Sequence, residues 1–509
     1  MEQERSKIVR QPPASSYLWL ASAAVFLLFS NGRWVIPLAA WLFSPMMMRF
    51  LREQRPLRGL ALGAITYVLA GLITNSGTRE IFSGMSYFPV AAACSLFFFL
   101  PFVADRLIAH RVRGILATLV FPLAWTTTEF VFSFLGFGTS GALAYTQYGN
   151  LPLVQIVSIT GIWGLSFLIA WFASVINWVW EQEFAWQKIK YGVALYFSIL
   201  AAVLLFGGAR LALFPPESNR IRVAAITTRR DLGSHDRDIF YRFWARQANG
   251  QSLQALDTEV HDDFLSRSTD AARFGAKIIF WPEYGVPVSK ENEAPLIERG
   301  QQLAREEEIY LMMTLYTVPV DFPARPWENK VLIIGPSGEV ICRYLKCNPA
   351  PGEPIVLGNG KVPIVNTPYG EISTAICMDM YFPNLIRQAG KAGVDLMLTP
   401  SRTWKGIAPE FTYDTTFRAI ENGFSMVACT ADGLCIAVDY QGRVVAAADY
   451  FTSHEQVMIA DVSMKGVTTI YSQIGDFFAW CCIIGLASIF LWTIVFRPFL
   501  EFRGTMCNV

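Results

Sequence analysis

Apolar and polar positions follow two different patterns along this chain. Residues 1–215 and 474–497 form long blocks of Leu, Ala, Phe and Trp broken by short polar loops, whereas residues 216–472 alternate short apolar stretches with amphipathic ones. A membrane-spanning helix needs roughly 20 consecutive apolar residues. The long blocks predict eight such helices, at about 16–30, 34–50, 57–75, 87–108, 115–134, 153–180, 189–213 and 475–496. The first block is short and follows Arg5, Lys7 and Arg10, as a signal peptide would. A second apolar block follows after only Asn31-Gly32-Arg33, with no small-residue cleavage site, so the pattern favours a helical hairpin.

Between residues 216 and 472 the period changes. Strands are predicted at 221–227, 277–281, 309–317, 371–377, 394–399, 424–430, 434–439 and 444–448, and a hairpin at 331–336 and 339–344 around Ser337-Gly338. Helices are predicted at 250–274, 293–308, 383–392 and 409–423. Strands and helices in alternation argue for α/β layers. The expected organisation is a seven-helix transmembrane region (1–215), an α/β domain (216–472), and a last transmembrane helix with a tail (473–509).

Composition supports the division. The chain is 53% hydrophobic and 16% charged, against about 25% charged in an ordinary soluble domain. A net charge of +1 gives no electrostatic footprint for nucleic acid. The nine cysteines form no CxxC pair and there are four histidines, a poor stock for a metal site. Charge between the spans sets orientation, because cytoplasmic loops collect Lys and Arg. With the N-terminus inside, the inside segments hold Arg49, Arg52, Arg55 and Arg58; Arg106, Arg111 and Arg113; Lys188 and Lys190; Arg497 and Arg503. The loop at 135–152 has no charge at all. Residues 216–472 are therefore expected outside the cytoplasm and residues 497–509 in a cytoplasmic tail. A disulfide among Cys342, Cys347, Cys429 and Cys435 would be compatible with that compartment. Glu129 stands inside the fifth predicted span, where acids are functional or paired.

Three polar residues close apolar strands: Glu283 after Phe280-Trp281-Pro282, Lys346 after Cys342-Arg343-Tyr344-Leu345, and Cys377 after Ser373-Thr374-Ala375-Ile376. Singly, each reads as an ordinary core or solvated residue. Together they supply a thiol, a base and a cation for an oxyanion, at strand ends where α/β sheets place ligands.

Those motifs resemble a known family. Glu283 in WPEYGVP, Lys346 in YLKCNPAPGEP and Cys377 in ICMDMYFP match, in order and spacing, the Glu-Lys-Cys triad of the nitrilase (carbon–nitrogen hydrolase) superfamily, and RAIENG at 418–423 is similar to its late helix motif. LAWTTTEF at 123–130, residues 144–168 and TIYSQIGDFFAW at 469–480 resemble membrane segments of the apolipoprotein N-acyltransferases. The sequence departs from that family at Cys347-Asn348-Pro349 after the lysine, at Met378-Asp379 after the cysteine, and at Thr139-Ser140-Gly141.

The resemblance implies a polytopic α-helical membrane domain of about eight spans plus an extracytoplasmic nitrilase-like αββα sandwich. It implies a monomeric enzyme of the bacterial plasma membrane, without cofactor or metal, that passes an acyl chain from a phospholipid through Cys377 to a diacylated apolipoprotein. Glu353 would orient Lys346 or the amine. Asp379 would position the lysine or cap the helix near Pro383, and Trp404 in SRTWKG would line an acyl pocket or pack in the core. Arg387, Arg402 and Lys405 would meet phosphate or solvent. The alternatives are a membrane-tethered amidase or nitrilase-type hydrolase, an acyltransferase with another amine acceptor, and a non-catalytic lipid-binding protein on the same scaffold.

Overall fold

The structure, a computed structural model, describes residues 14–82, 86–217, 219–229, 253–319, 324–453 and 456–493. Arg5, Lys7 and Arg10, and Arg497 and Arg503 of the expected tail, lie outside the described residues.

The first half is a helical bundle. Helix α1 (Ser16–Leu28) turns through Gly32–Trp34 into α2 (Pro37–Glu53), forming the expected hairpin. Then follow α3 (Pro56–Thr74), α4 (Tyr87–Ile108), α5 (Val120–Phe132), α6 (Ile162–Glu181) and α7 (Trp186–Leu213). Pro37 and Pro56 open their helices, where a missing N–H costs nothing. Arg52 joins Asp105 and Glu181 at 2.8 Å each, tying the ends of α2, α4 and α6 together on the side where the basic residues gather.

Five helices among the described residues are long and apolar enough to cross a membrane, not eight. Helix α1 has 13 residues; at about 1.5 Å per residue it reaches about 20 Å, short of the hydrocarbon thickness of about 30 Å. The expected span at 153–180 is broken. Leu151–Val154 and Val157–Thr160 are single turns, and Gly161, at φ +65°, separates them from α6. A Cβ there would lie 2.5 Å from the ring of Tyr471. The Ile162 N–H, exposed by the break, donates to Glu421 Oε1 at 2.9 Å.

The second half contains two sheets. Strands β1 (Arg220–Ile226), β2 (Ile278–Phe280), β3 (Val286–Ser289), β4 (Tyr310–Val318), β5 (Glu328–Ile334) and β6 (Val340–Leu345) belong to one. Strands β7 (Val365–Thr367), β8 (Gly370–Thr374), β9 (Leu396–Arg402), β10 (Ser425–Ala431), β11 (Leu434–Val438) and β12 (Val444–Asp449) form the other. Each sheet has a parallel core, β1-β2-β4 and β8-β9-β10, and an antiparallel flank. Helices α8 (Leu253–Arg273) and α9 (Glu293–Glu306) cover the first sheet; α10 (Pro383–Ala392) and α11 (Glu410–Asn422) flank the second. This is the αββα sandwich. Strands β3, β7 and β13 (Val457–Ser463) were not foreseen. β13 pairs antiparallel with β1, Arg220 opposite Ser463, so the chain leaves the domain beside the point where it entered. It then reaches α12 (Phe477–Leu491).

Cys342, Cys347, Cys429 and Cys435 are free thiols. Cys429 and Cys435 face each other across the β10–β11 hairpin as free thiols, one bonded to the Ile226 carbonyl at 3.4 Å and the other to the Thr430 carbonyl at 3.7 Å.

Candidate active site

Two parallel core strands, β2 and β8, and the antiparallel edge strand β6 deliver the three candidate residues. β2 ends at Phe280, and Trp281, fixed by its Nε1 bond to Ser268 Oγ at 3.0 Å, is followed by Pro282 and Glu283. β6 ends at Leu345, and the Lys346 N–H donates to the Asn329 carbonyl at 3.0 Å. β8 stops at Thr374, earlier than expected. Cys377 then opens a 3-10 turn, Cys377–Tyr381, with φ +47°.

These ends converge. Lys346 Nζ donates to Glu283 Oε1 at 2.7 Å and to Glu353 Oε2 at 2.9 Å. All of these side chains are nearly inaccessible: Glu283 and Lys346 are 1% exposed and Cys377 7%. The Cys377 thiol reaches the Arg402 carbonyl at 3.7 Å, and the Glu283 carboxyl lies close enough to act on it electrostatically. Burial works against the Lys346 ammonium, but Glu283 and Glu353 outweigh it and hold its pKa well above the ordinary value. Burial, with Glu283 beside it, pushes the Cys377 thiol well above its usual range; Lys346 pulls the other way. At rest the site holds a neutral thiol beside a charged lysine.

Glu353 is the second carboxylate on that lysine. It also accepts from Ala350 N–H at 2.7 Å and from the hydroxyl of Tyr284. Burial raises its pKa, yet Lys346 and these donors outweigh it and keep the carboxyl below its ordinary value. Asp379 joins two elements. It accepts from Ile376 N–H (3.1 Å) in the Cys377 turn, and from Tyr344 OH (2.6 Å), Cys347 N–H (3.1 Å) and Asn348 N–H (2.7 Å) beside the lysine. Burial pushes it up to about 6. It does not cap the helix at Pro383, whose N-cap is Phe382 with no side-chain bond. Trp404 donates from Nε1 to the Gly77 carbonyl of the membrane region at 2.7 Å. Arg387 turns instead to the Ser472 carbonyl at 3.4 Å, and Arg402 to Asp432 at 3.5 Å. Among the described residues no cluster of His, Cys, Asp or Glu could hold a metal ion.

Sequence reasoning missed Asn329, which donates to Glu283 at 2.7 Å and to Glu353 at 3.2 Å. A polar residue within the apolar strand ENKVLII was its only signal. It also missed Tyr284, which directly follows Glu283.

The site opens into a cavity of about 2020 Å³ shared by both halves of the molecule. Glu283, Lys346, Glu353, Cys377, Trp404 and Lys405 line it from the α/β side. Phe43, Tyr67, Phe98 and Trp125 line it from α2, α3, α4 and α5.

An α/β sandwich with this cluster at its strand ends, seated on apolar helices, is a membrane-bound protein of the nitrilase superfamily. Residues 230–471 match the carbon-nitrogen hydrolase family, and residues 21–175 match the apolipoprotein N-acyltransferase N-terminal domain. The chain is 27% identical to the apolipoprotein N-acyltransferase of Geobacter metallireducens, covering 93% of this chain and 94% of that one. It is 25% identical to that of Bradyrhizobium diazoefficiens over 78% and 77%. Among solved structures, an amidase from Nesterenkonia sp. is similar at 20% identity and a TM-score of 0.39, covering 51% of this chain and 95% of that one. Over most of its length the chain is similar to apolipoprotein N-acyltransferases, and it is an enzyme of the N-acyltransferase type.

Proposed function

We propose that this enzyme moves a fatty acyl chain from a membrane phospholipid, through a thioester on Cys377, to the α-amine of the N-terminal diacylglyceryl-cysteine of an apolipoprotein. One observation carries the reading: a buried thiol, carboxylate and ammonium share a single cavity with aromatic side chains of membrane helices. Pockets for small ligands occupy about 300–1,000 Å³; this one is about twice that upper bound and suits a lipid.

In the first half-reaction Glu283 takes the proton of Cys377 as Sγ attacks the ester carbonyl. The Lys346 ammonium, with the backbone N–H that follows Cys377, holds the oxyanion. The C–O bond breaks, Glu283 returns the proton to the leaving oxygen, and a lysophospholipid departs. In the second half the acceptor amine attacks the thioester, Glu283 takes the amine proton, and the C–S bond breaks to give the amide. Glu283 then reprotonates the sulfur. Such acid–base work is worth about 10²–10⁴-fold, and one oxyanion donor about 10²–10³-fold. The high thiol pKa makes the base indispensable, since little thiolate exists at rest. The α/β domain would face the outer side of the plasma membrane, opposite the Arg52 end of the bundle, and Glu353 would keep the lysine charged and in place.

The test is covalent. Purified full-length enzyme given phospholipid alone should gain one acyl mass on the Cys377 peptide, and neutral hydroxylamine should remove it. A diacylated lipopeptide with a free α-amine should discharge it as the N-acyl product. Free fatty acid without an adduct would mean a water-using hydrolase; no lipid chemistry at all would end the proposal.

A further inference from the structure

We infer that the membrane region holds the nucleophile in place: Thr139 and Tyr145, backed by Arg418, are positioning residues for the turn that carries Cys377. The inference rests on the reading of Cys377 as nucleophile.

The turn needs holding. Cys377 has φ +47°, in the left-handed region. Such a conformation persists in a non-glycine residue only where its surroundings impose it. Asp379 imposes it from the front of the turn, through Ile376 N–H. At the back, the Tyr381 carbonyl accepts two hydrogen bonds from one membrane-region residue: Thr139 N–H at 2.8 Å and Thr139 Oγ1 at 3.0 Å.

The hydroxyl of Thr139 is in turn directed. With Oγ1 donating to Tyr381, Tyr145 OH at 2.6 Å must donate to Oγ1. The Tyr145 oxygen then accepts from Arg418 Nη2 at 2.7 Å. Every proton in this relay therefore has one direction, from Arg418 through Tyr145 and Thr139 to the carbonyl, and such chains strengthen each member. Arg418 is fully buried and paired with Glu421 at 2.5 Å, so its end of the relay is fixed. The Tyr145 segment is fixed as well, because Glu129 accepts from Leu143 N–H at 2.7 Å and from Trp125 Nε1 at 2.7 Å.

Backbone packing points the same way. Gly138, at φ +57°, lies so close to the turn that a Cβ would stand 2.4 Å from the Tyr381 carbonyl oxygen. Only glycine permits that approach. The loop between α5 and α6 is thus seated on the backbone of the nucleophile turn. Glu129 and the RAIENG segment, neither of which touches the reacting groups, acquire a common purpose as the two anchors of this clamp.

The experiment uses full-length enzyme in detergent with phospholipid as donor. Thr139→Val removes the directed hydroxyl and Tyr145→Phe removes the next one, both with little change in shape. Each should lower the rate constant for Cys377 acylation about tenfold, a loss of about 1.4 kcal/mol, while the phospholipid KM stays unchanged. Thr139→Ser should restore the rate. The double variant should lose less than the product of the two, since both act through one relay. Alkylation of Cys377 by iodoacetamide without lipid, a readout needing no substrate site, should change with Thr139→Val and revert with Thr139→Ser. Wild-type acylation in both variants would overturn the inference. So would a raised KM at unchanged rate, which marks a cavity contact, or a Thr139→Ser enzyme as slow as Thr139→Val. Failure of the wild-type enzyme to form any Cys377 adduct is a separate result, and removes the nucleophile reading together with the inference.

Discussion

Replacing Glu353 by Gln should slow acylation of Cys377 about a hundredfold. The carboxylate oxygens of Glu353 face donors on every side. Oε1 accepts from Tyr284 OH, from Asn329 Nδ2 and from Lys346 Nζ at 3.2 Å. Oε2 accepts from Lys346 Nζ at 2.9 Å and Ala350 N–H at 2.7 Å. A glutamine keeps one acceptor. With its NH2 at the Oε2 position it confronts the ammonium and the Ala350 N–H. With its NH2 at Oε1 it confronts Asn329 and the ammonium, and only the Tyr284 hydroxyl can turn to accept. Both orientations set donors against donors and leave Glu283, at 2.7 Å, as the one carboxylate on Lys346. Removing one partner of a buried ion pair costs about 3–5 kcal/mol. Because Glu283 remains, the lower bound applies, and about 3 kcal/mol is about a hundredfold in rate. The assay is single-turnover acylation followed by intact mass, with Glu353→Asp as a control that keeps the charge and recovers part of the rate. A Glu353→Gln enzyme loading within threefold of wild type would show that the lysine does not depend on Glu353, and would refute the two-carboxylate account.

Three further outcomes follow from the geometry. Because burial and Glu283 raise the Cys377 thiol pKa, its alkylation by iodoacetamide should climb steadily from pH 7 to pH 9 and trail that of free cysteine; a plateau below pH 8 would mean a resting thiolate. Gly77→Ala would place a Cβ 1.9 Å from the Gly406 carbonyl oxygen and push the Trp404 segment off the membrane turn; it should raise the phospholipid KM, and an unchanged KM would remove Trp404 from the lipid site. For orientation, a cysteine at exposed Lys391 should react with an impermeant maleimide in intact spheroplasts and one at exposed Lys188 should not, with the reverse pattern inverting the topology.

The strand and helix order of residues 216–472 was legible because period 2 and period 3.6 alternate cleanly there. α10 runs over 383–392, as its pattern predicts. The convergence of Glu283, Lys346 and Cys377 on one cavity was legible because their motifs carry their own neighbours. The interruption at Gly161 was not, since an apolar run reports how hydrophobic a segment is rather than whether it is one helix. Its partner Glu421 lies 259 residues away. Asn329 was hidden for a related reason: a polar residue that meets its partners only across the sheet has no local signature. Trp404 lines the cavity, but its bond to Gly77, 327 residues distant, belongs to the tertiary structure alone.

The seam between the two halves bears on modularity. Hydropathy invites a cut near residue 215, as though a soluble enzyme had been tied to an anchor. Yet Ile162 N–H rests on Glu421, Trp404 Nε1 on the Gly77 carbonyl at 2.7 Å, Gln155 on the Gln441 carbonyl at 2.9 Å, and Arg443 on the Leu211 carbonyl at 2.6 Å. Each buried donor or acceptor stripped of its partner costs about 1–3 kcal/mol, and the apolar surface around the seam would be laid bare as well. The α/β half is therefore no cassette. Excised, it would leave its seam groups without the partners that the membrane half supplies.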